Sequence, residues 1–431
     1  MLRIVEIGSL RPEERRALAS RASRGLKEVM ADTQQIVEEV RQRGDAALSA
    51  FTKKFDKAEL ETFRVDPAEI ASSESEVDPS VAKALKEAAE HIRRWQELML
   101  PKSMEASVVP GRPTWRTGVN AVPMESAGAY VPGGRAAYPS SVLMCCIPAK
   151  VAKVKRVILC TPPSEDGTVP AVVRFAAKIA EVDEVYAVGG AQAIAAMAYG
   201  TKQIAKVEKI VGPGNAYVTA AKKIVSEDVA IDFLAGPSEV MVVCDGRSGA
   251  DLAAAELIAQ AEHDPQAVCV VVTTDPDWGR QVNEELVSQL ADLPRKAIAE
   301  EALRKNGKIF TAASGAEAVG FINEFAAEHV MLLGQDPRPL LEKITCAGAV
   351  FVGDYASVVH GDYCAGTNHV IPSGGEARRF NSLSSGSFVR MIPYVTMTDR
   401  GAKQLGDIAA TIARAEGFEG HARAAERRMR L

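Results

Sequence analysis

An amide and an imidazole stand three residues apart in the stretch AELIAQAEHDPQ, residues 255 to 266. On a helix, Gln260 and His263 would share one face, and the imidazole has Glu262 and Asp264 beside it. The pair could bind a metal ion. Because a glutamine oxygen is a neutral, weak donor, that ion would stay electrophilic, which suits a catalytic site better than a structural one. A solvated helix end is the alternative interpretation.

Histidines beside acids or polar residues extend this candidate chemistry. Five of the six have such neighbours, namely His263, His329, His360, His369 and His421, and only His91 lies in a charged helix without an evident role. Zinc takes imidazole and carboxylate ligands, so Asp362 and two of these histidines could bind it without a cysteine. For each single histidine, an ordinary surface or core position is the alternative.

A carboxylate and an imidazole are adjacent at Glu328 and His329, where an amphipathic helix is predicted to end before the apolar run VMLL. Adjacent helical residues point about 100° apart, but at a helix end both can approach a cleft. The two groups could then move protons near neutral pH. The alternative is a C-terminal histidine stabilised by the helix dipole.

Glycine turns follow two apolar runs that read as strands, VGGAQA at 188 to 193 and VGPGNAY at 211 to 217. Neither is the G-x-G-x-x-G fingerprint, yet each places an amide, Gln192 or Asn215, at the carboxyl end of a strand, where open α/β sheets bind ligands. A third turn, GAYVPGGRAAYPSS, adds Tyr130. Ordinary turn chemistry would explain any one of them.

The elements that must position these residues alternate between strand and helix from about residue 126 onward, which is typical of parallel sheets flanked by helices. We therefore predict an α/β fold with two Rossmann-like, incomplete, doubly wound domains and helical N- and C-terminal extensions.

The predicted boundaries assign residues 1–30 to an N-terminal helical arm and residues 126–238 to one α/β domain. Residues 31–125 together with 239–384 form the α/β domain that carries the candidate metal and catalytic residues. Residues 385–431 form a helical tail with a basic end, HARAAERRMRL, which could pack on another subunit or stay solvated.

Composition limits the partners. The 431 residues carry a formal charge of -5, and a net negative charge gives no overall attraction to the phosphates of nucleic acid. Seven cysteines without zinc-knuckle or disulfide spacing fit a reducing cytosol. The N-terminus lacks a signal-peptide core, and no run approaches the roughly 18 apolar residues of a membrane span. A soluble cytoplasmic protein is expected, without nucleic-acid or membrane partners.

Nine stretches together resemble the histidinol dehydrogenase family, in order and spacing, from about residue 30 to the end. They are GAYVPGGRAAYPSSVLM, IPAKVA, VGGAQAIAAMAYGT, VGPGNAYV, AGPSEVMV, AQAEHD, AAEHV, GDYCAGTNHVIPS and AEGFEGHA. The resemblance implies oxidation of L-histidinol to L-histidine through L-histidinal, with two NAD and one zinc ion per subunit of a homodimer.

The resemblance also implies residue roles. Glu328 would activate water and His329 would act as the base, while Tyr130, Gln192 and Asn215 would hold NAD. The implied zinc ligands are Gln260, His263, Asp362 and His421, the last from the partner subunit. The implied substrate contacts are these four ligands with His329, Ser238 in the pocket wall, Glu416 at the amine and His369.

Some residues depart from the family pattern. YASVVHGDY lacks an expected proline and acid, SLSSGSFVR lacks an acidic pair, and His360 is an extra imidazole that could be a spare ligand, a supporting group or neither. One alternative function is a related zinc and NAD dehydrogenase of another polar alcohol, such as a sulfonated diol. A zinc hydrolase using Glu328 without nucleotide and a non-catalytic scaffold are the others. Cys145 and Cys146 have no neighbouring base, so a covalent thiohemiacetal route is not expected.

Overall fold

The structure is a computed structural model, and it divides into two compact units, Met1–Met99 with Glu125–Phe388 and Leu100–Met124 with Val389–Leu431. The described residues are 2–21, 26–109, 114–133, 136–234 and 236–431. Residues 22–25 of the predicted arm, Gly134 and Arg135 of the third glycine turn, and Ala235 of AGPSE lie outside them.

The bounds of the regular elements follow. The strands are β1 (Arg3–Glu6), β2 (Met104–Ala106), β3 (Trp115–Pro123), β4 (Ser126–Tyr130), β5 (Arg156–Thr161), β6 (Glu184–Ala187), β7 (Lys209–Val211), β8 (Ala230–Ile231), β9 (Glu239–Cys244), β10 (Val268–Thr273), β11 (Lys308–Thr311), β12 (His329–Leu332), β13 (Ala349–Val352) and β14 (Val389–Met397). The helices are α1 (Pro12–Ala19), α2 (Leu26–Arg43), α3 (Asp45–Phe55), α4 (Pro67–Ser72), α5 (Pro79–Met99), α6 (Pro139–Val151), α7 (Ala171–Ile179), α8 (Gly190–Tyr199), α9 (Ala216–Val225), α10 (Ala250–Ala261), α11 (Pro276–Gln289), α12 (Lys296–Asn306), α13 (Gly315–Phe325), α14 (Arg338–Leu341), α15 (Val358–Tyr363), α16 (Asp399–Ala415) and α17 (Glu419–Met429).

One parallel sheet has the strand order β6-β5-β4-β7-β8. When the strands are renumbered from β4 in chain order, this order is 3-2-1-4-5, the Rossmann arrangement. Successive strands are added on one side of β4 up to β6 and on its other side from β7, so the topological switch point lies between β4 and β7. Strand runs such as RVILCT are apolar and nearly wholly buried because helices cover both faces. We call this the five-stranded sheet.

The second parallel sheet, the six-stranded sheet, has the order β1-β11-β10-β9-β12-β13. Its strands β9 to β13 repeat the order 3-2-1-4-5, and β1 is added at the edge. The predicted fold class, two incomplete Rossmann-like domains, is therefore confirmed.

The N-terminal part of the chain corrects two predicted boundaries. β1 lies within the predicted helical arm but pairs with β11, with Arg3 opposite Lys308. Helices α2 and α3 place Val37, Leu48 and Phe51 in the core of the five-stranded sheet. The assignment of residues 31–125 to the domain with the catalytic residues is thus wrong, because an amphipathic pattern does not specify which sheet a helix covers.

The second unit differs from the prediction in the assignment of residues 100–124 and in the secondary structure of the C-terminal tail. β14 pairs antiparallel with β3 from Val389 opposite Pro123 to Met397 opposite Trp115, and β2 adds a third strand. Residues 100–124 therefore fold with the C-terminal region rather than with either parallel sheet. The tail is not wholly helical, since a nine-residue strand precedes α16 and α17.

The connection into β12 corrects the predicted secondary structure at Glu328 and His329. Helix α13 ends at Phe325, and Ala326 takes a left-handed conformation, φ 49°, that stops it. His329 is the first residue of β12, opposite Val240 of β9 and Ala349 of β13. The apolar run VMLL forms a strand here because it lies between two parallel neighbours.

In the described part of the chain, no helix is long and apolar enough to cross a membrane.

Candidate active site

Most predicted catalytic and metal-binding residues meet at the amino ends of β9 and β12 in the six-stranded sheet, which we call the amino edge. Glu239 begins β9 and His329 begins β12. Because α10 connects two parallel strands, it runs opposite to them and its C-terminal turn, with Gln260, returns to the same edge. The segment around Asp362 reaches it too, since Asp362 Oδ1 lies 3.3 Å from His329 Nε2.

The His329 ring is buried and held at one nitrogen. Nδ1 lies 2.9 Å from the carbonyl oxygen of Glu239, and because a carbonyl only accepts, Nδ1 carries the hydrogen. The neutral ring then has its lone pair on Nε2. Among the described residues Nε2 has no aligned hydrogen-bond partner, although Asp362 lies near it. His329 is therefore oriented as a base towards Asp362.

Glu328 is buried next to this ring. Its Oε2 accepts a hydrogen bond of 2.7 Å from the Glu239 amide and lies 3.7 Å from His329 Nδ1. Burial raises the pKa of the Glu328 carboxyl to about 8, although His329 partly opposes this. Burial alone would lower the pKa of His329, but the charges of Glu328 and Asp362 outweigh it and raise that pKa to about 9.

Burial opposes ionisation of Asp362, but the neighbouring His329 outweighs this effect and lowers the pKa of Asp362, so this carboxylate is ionised. The site thus holds protons at neutral pH and can exchange them with a bound molecule.

The C-terminal end of α15, which carries Asp362, is fixed by histidines. His369 Nδ1 donates to the Asp362 carbonyl over 2.8 Å, and its Nε2 lies 3.1 Å from Ser141 Oγ. Burial lowers the pKa of His369. His91, which had no evident role in the sequence, has its Nδ1 2.8 Å from the carbonyl of Cys364, the residue after α15. Both nitrogens of His369 are engaged, so it orients the end of α15.

The predicted metal donors in this unit are Gln260, His263 and Asp362. Gln260 is 3% exposed in the last turn of α10, and the amide of His263 donates to its carbonyl over 3.3 Å. His263 as a whole residue is solvent-exposed, but the surrounding protein partly desolvates its ring and so lowers its pKa. The negative charge of Asp362 acts in the opposite direction.

The donor types fit zinc, but the set is incomplete within this unit. Among the described residues, no three His, Cys, Asp or Glu side chains converge as a metal site. Of the predicted zinc ligands, this unit supplies only two side chains of these four types, His263 and Asp362. His360 is exposed and its charge acts on Glu256, so nothing in the structure gives it a ligand role.

Glu239 is a functional residue that the sequence analysis missed. Its amide and carbonyl hold Glu328 and His329, and its buried carboxylate accepts two hydrogen bonds from Arg21, at 2.8 and 2.7 Å. Glu239 follows Ser238 in AGPSE, which could have drawn notice to it. Ser238 is partly buried, and its carbonyl accepts from the Val268 amide.

The predicted cofactor residues lie elsewhere, at the carboxyl ends of β4, β6 and β7 in the five-stranded sheet. We call this side of the sheet the carboxyl edge. The Tyr130 hydroxyl accepts a hydrogen bond of 3.1 Å from the Gly190 amide, two residues before Gln192. The Asn215 side chain caps α9 by accepting from the Val218 amide at 3.1 Å. Burial raises the pKa of Tyr130 to about 12, so its hydroxyl stays protonated.

Close backbone approach at this edge explains a glycine. A Cβ on Gly212, whose φ is +118°, would lie 2.1 Å from the Tyr130 carbonyl oxygen. A buried ion pair holds the same turn. Lys222 Nζ donates to the Gly212 carbonyl at 3.0 Å, and Asp232 accepts from the Gly212 amide at 2.8 Å. The N-termini of α8 and α9 also lie at this edge, where their backbone amides favour anions.

The remaining predicted residues are Glu416 and His421, which belong to the second unit. Glu416 ends α16 and His421 lies in α17, and both are exposed. Cys145 and Cys146 are fully buried, and burial raises the pKa of both thiols, which disfavours a nucleophilic thiolate.

Comparisons with known proteins agree over nearly the whole chain. The family model described as histidinol dehydrogenase matches residues 19–429. The histidinol dehydrogenase of Methanothermobacter thermautotrophicus is 42% identical over 430 residues, 100% of both chains. That of Haloarcula marismortui is 44% identical over 98% of each. The crystal structure of histidinol dehydrogenase from Elizabethkingia anophelis covers 100% of this chain and 98% of its own, with TM-score 0.93 and 34% identity. The chain belongs to the histidinol dehydrogenase family.

Proposed function

We propose that this protein oxidises L-histidinol to L-histidine through L-histidinal, reducing two NAD per substrate with the help of one zinc ion. The observation that carries the proposal is the orientation of His329, whose Nδ1 is bound by Glu239 and whose buried Nε2 faces Asp362 without an aligned partner. Family membership supplies the substrate class.

In the first oxidation, His329 in its neutral form would take the hydroxyl proton at Nε2 while the carbinol hydride is transferred to the nicotinamide that NAD supplies when bound. The ring would then release this proton to solvent and become neutral again. In the second oxidation, Glu328 would remove a proton from the water that adds to the aldehyde, and His329 would accept the hydroxyl proton of the hydrate as the second hydride is transferred, giving the carboxylate. Glu328 suits this step because burial raises its pKa close to the working range.

Gln260, His263 and Asp362, with His421 of a second copy, are the proposed zinc ligands. When bound, zinc would hold the substrate imidazole and amine and so fix the reacting carbon towards the nicotinamide. Ser238 would line the pocket and Glu416 would meet the amine. His369 would support these contacts by holding the end of α15, which carries Asp362.

NAD is assigned to the carboxyl edge. Two helix N-termini lie there, and their backbone amides favour the phosphates of a dinucleotide. Tyr130 holds the turn at Gly190, Gln192 lies in the first turn of α8, and Asn215 keeps its amide hydrogens for a ligand while its oxygen caps α9.

A homodimer is proposed because the second unit exposes apolar side chains on both its strand and its helices. They are Met391, Ile392 and Val395 on β14 and Ile408 and Ile412 on α16, exposed by 45 to 57%. Large exposed apolar patches often mark a protein interface, and these side chains are candidates for one. We also propose a cytoplasmic location, in keeping with the free state of every cysteine in the described residues.

The test is NAD reduction by purified, zinc-loaded protein with L-histidinol, compared with a sulfonated diol at equal concentration. The proposal predicts NADH formation from L-histidinol only. Reduction with the diol alone would favour the related dehydrogenase, and failure of NAD to raise the melting temperature would favour a hydrolase.

A further inference from the structure

We infer that Arg21, a residue of the N-terminal segment, positions the catalytic pair Glu328 and His329. The inference rests on the proposed function of that pair. It concerns a residue that touches neither reacting group and is 218 positions away from the residue through which it acts.

Arg21 bonds to both segments that carry the pair. Its Nε and one terminal nitrogen donate to the two carboxylate oxygens of Glu239 at 2.8 and 2.7 Å. The other terminal nitrogen donates to the Phe325 carbonyl at 3.1 Å, and the guanidinium lies 3.6 Å from the centre of the Phe325 ring. Arg21 thus connects the start of β9 to the end of α13.

These two anchor points border the reacting groups on each side. The Glu239 backbone binds the Glu328 carboxylate and the His329 ring directly. Phe325 stands three residues before Glu328, at the left-handed turn that directs the chain into β12. A shift of either segment would move the His329 nitrogen relative to the substrate, and errors of about 1 Å can cost about 100-fold in rate.

Stability alone does not explain such a pair. The side chains of Arg21 and Glu239 are 10% and 1% exposed, and desolvating two charges offsets much of their attraction. Replacing both partners by neutral groups of similar size is therefore often tolerated by the fold. A positioning role predicts that the same replacement is not tolerated by catalysis.

The experiment compares Arg21→Met, Arg21→Lys and the double variant Arg21→Met with Glu239→Gln in the zinc-loaded, full-length protein. Arg21→Met alone leaves a buried carboxylate unpaired and should lower the melting temperature. The double variant should recover that temperature and bind NADH as the unmodified protein does. Its kcat should nevertheless fall about 10- to 100-fold, with KM for L-histidinol changed less than threefold. Arg21→Lys keeps the charge but not the planar fork, and should show a smaller fall in kcat.

Arg15→Met is the matched control. Arg15 also joins the N-terminal segment to α13, through a contact of 2.7 Å with Glu324, but does not touch Glu239. Its kcat should stay within twofold. Full kcat in the double variant would overturn the inference and reduce Arg21 to a structural residue. Unchanged turnover in His329→Gln would instead overturn the proposed function, and the inference with it.

Discussion

The two parallel sheets share the strand order 3-2-1-4-5 but collect their candidate functional residues at opposite edges. The five-stranded sheet uses its carboxyl edge, as open α/β sheets usually do. The six-stranded sheet uses its amino edge, with Glu239 and His329 at the first positions of β9 and β12. Strand order therefore does not decide where a site forms.

The electrostatics of the two edges differ in sign. At the carboxyl edge, the N-termini of α8 and α9 present amides, which suits the phosphates of a dinucleotide. At the amino edge, the C-terminus of α10 lies with the carboxylates of Asp362 and Glu328, which suits a metal ion and an amine. Under the proposed function, the same topology would offer one edge for the oxidant and one for the cationic ligands.

The largest effect should come from His329→Gln at the amino edge. The side chain keeps a similar volume but cannot act as a base, so turnover should fall about 1000-fold. NADH affinity should not change, because the proposed cofactor residues belong to the other sheet. Steady-state rates and a fluorescence titration with NADH would measure both quantities. A weaker NADH complex would mean that the two edges are not separate in function.

His263→Ala should lower both zinc content and turnover, the latter by at least about 100-fold. Metal analysis after gel filtration and rates at saturating zinc would measure them. His360→Ala is the control, since that exposed imidazole should keep full zinc content and activity. Normal zinc in His263→Ala would refute its ligand role.

Asp362 at the amino edge has a lowered pKa, and a pH effect on stability should distinguish it from Asp56, at the end of α3. Its buried Oδ2 has no hydrogen-bond partner in the described residues, and burial raises the Asp56 pKa to about 6. The unfolded chain ionises this group nearer pH 4, so the folded state loses stability as pH rises from about 4 to 6.

Above about pH 6 the full shift would correspond to about 3 kcal/mol, and solvent screening of this partly exposed group reduces the expected loss to about 2 kcal/mol. Asp56→Asn should therefore unfold at higher urea concentration than the unmodified protein at pH 7, and the gap should shrink towards pH 4. A gap independent of pH would contradict the assigned protonation.

The smallest effect should come from Asn215→Asp at the carboxyl edge. Aspartate can still cap α9, so the melting temperature should hold, but the amide donor is lost and a negative charge faces the cofactor. NADH should bind about 10-fold more weakly, with zinc content unchanged. Asn215→Ala provides the comparison, because it should lose stability as well. Equal NADH affinity in Asn215→Asp would restrict the residue to capping.

The sequence predicted the parallel sheets because strands such as β5 and β9 are short apolar runs that occur only where both faces are covered. It did not predict that β1 extends the six-stranded sheet or that α2 and α3 cover the five-stranded one. Those pairings depend on contacts between distant segments. The helical periodicity before Glu328 also concealed the left-handed Ala326, which ends the helix three residues before His329.

Within the candidate site, motifs identified Gln260, His263, Glu328, His329 and Asp362, and the geometry brings His329 to Asp362 and Glu328. Arg21 had no local signal, because its partner Glu239 stands in a different part of the chain and neither residue lies in a metal or acid–base pattern. Buried supporting contacts of this kind become visible only when the fold is known.

The central claim is a four-electron oxidation, so the most direct measurement is the number of NADH formed per L-histidinol consumed. Zinc-loaded protein would receive limiting L-histidinol and excess NAD, with NADH followed by absorbance and histidine measured by amino-acid analysis. The account predicts about two NADH and one histidine per substrate, since Glu328 and His329 together support both oxidations. About one NADH, with the aldehyde as end product, would contradict the water-activating role assigned to Glu328.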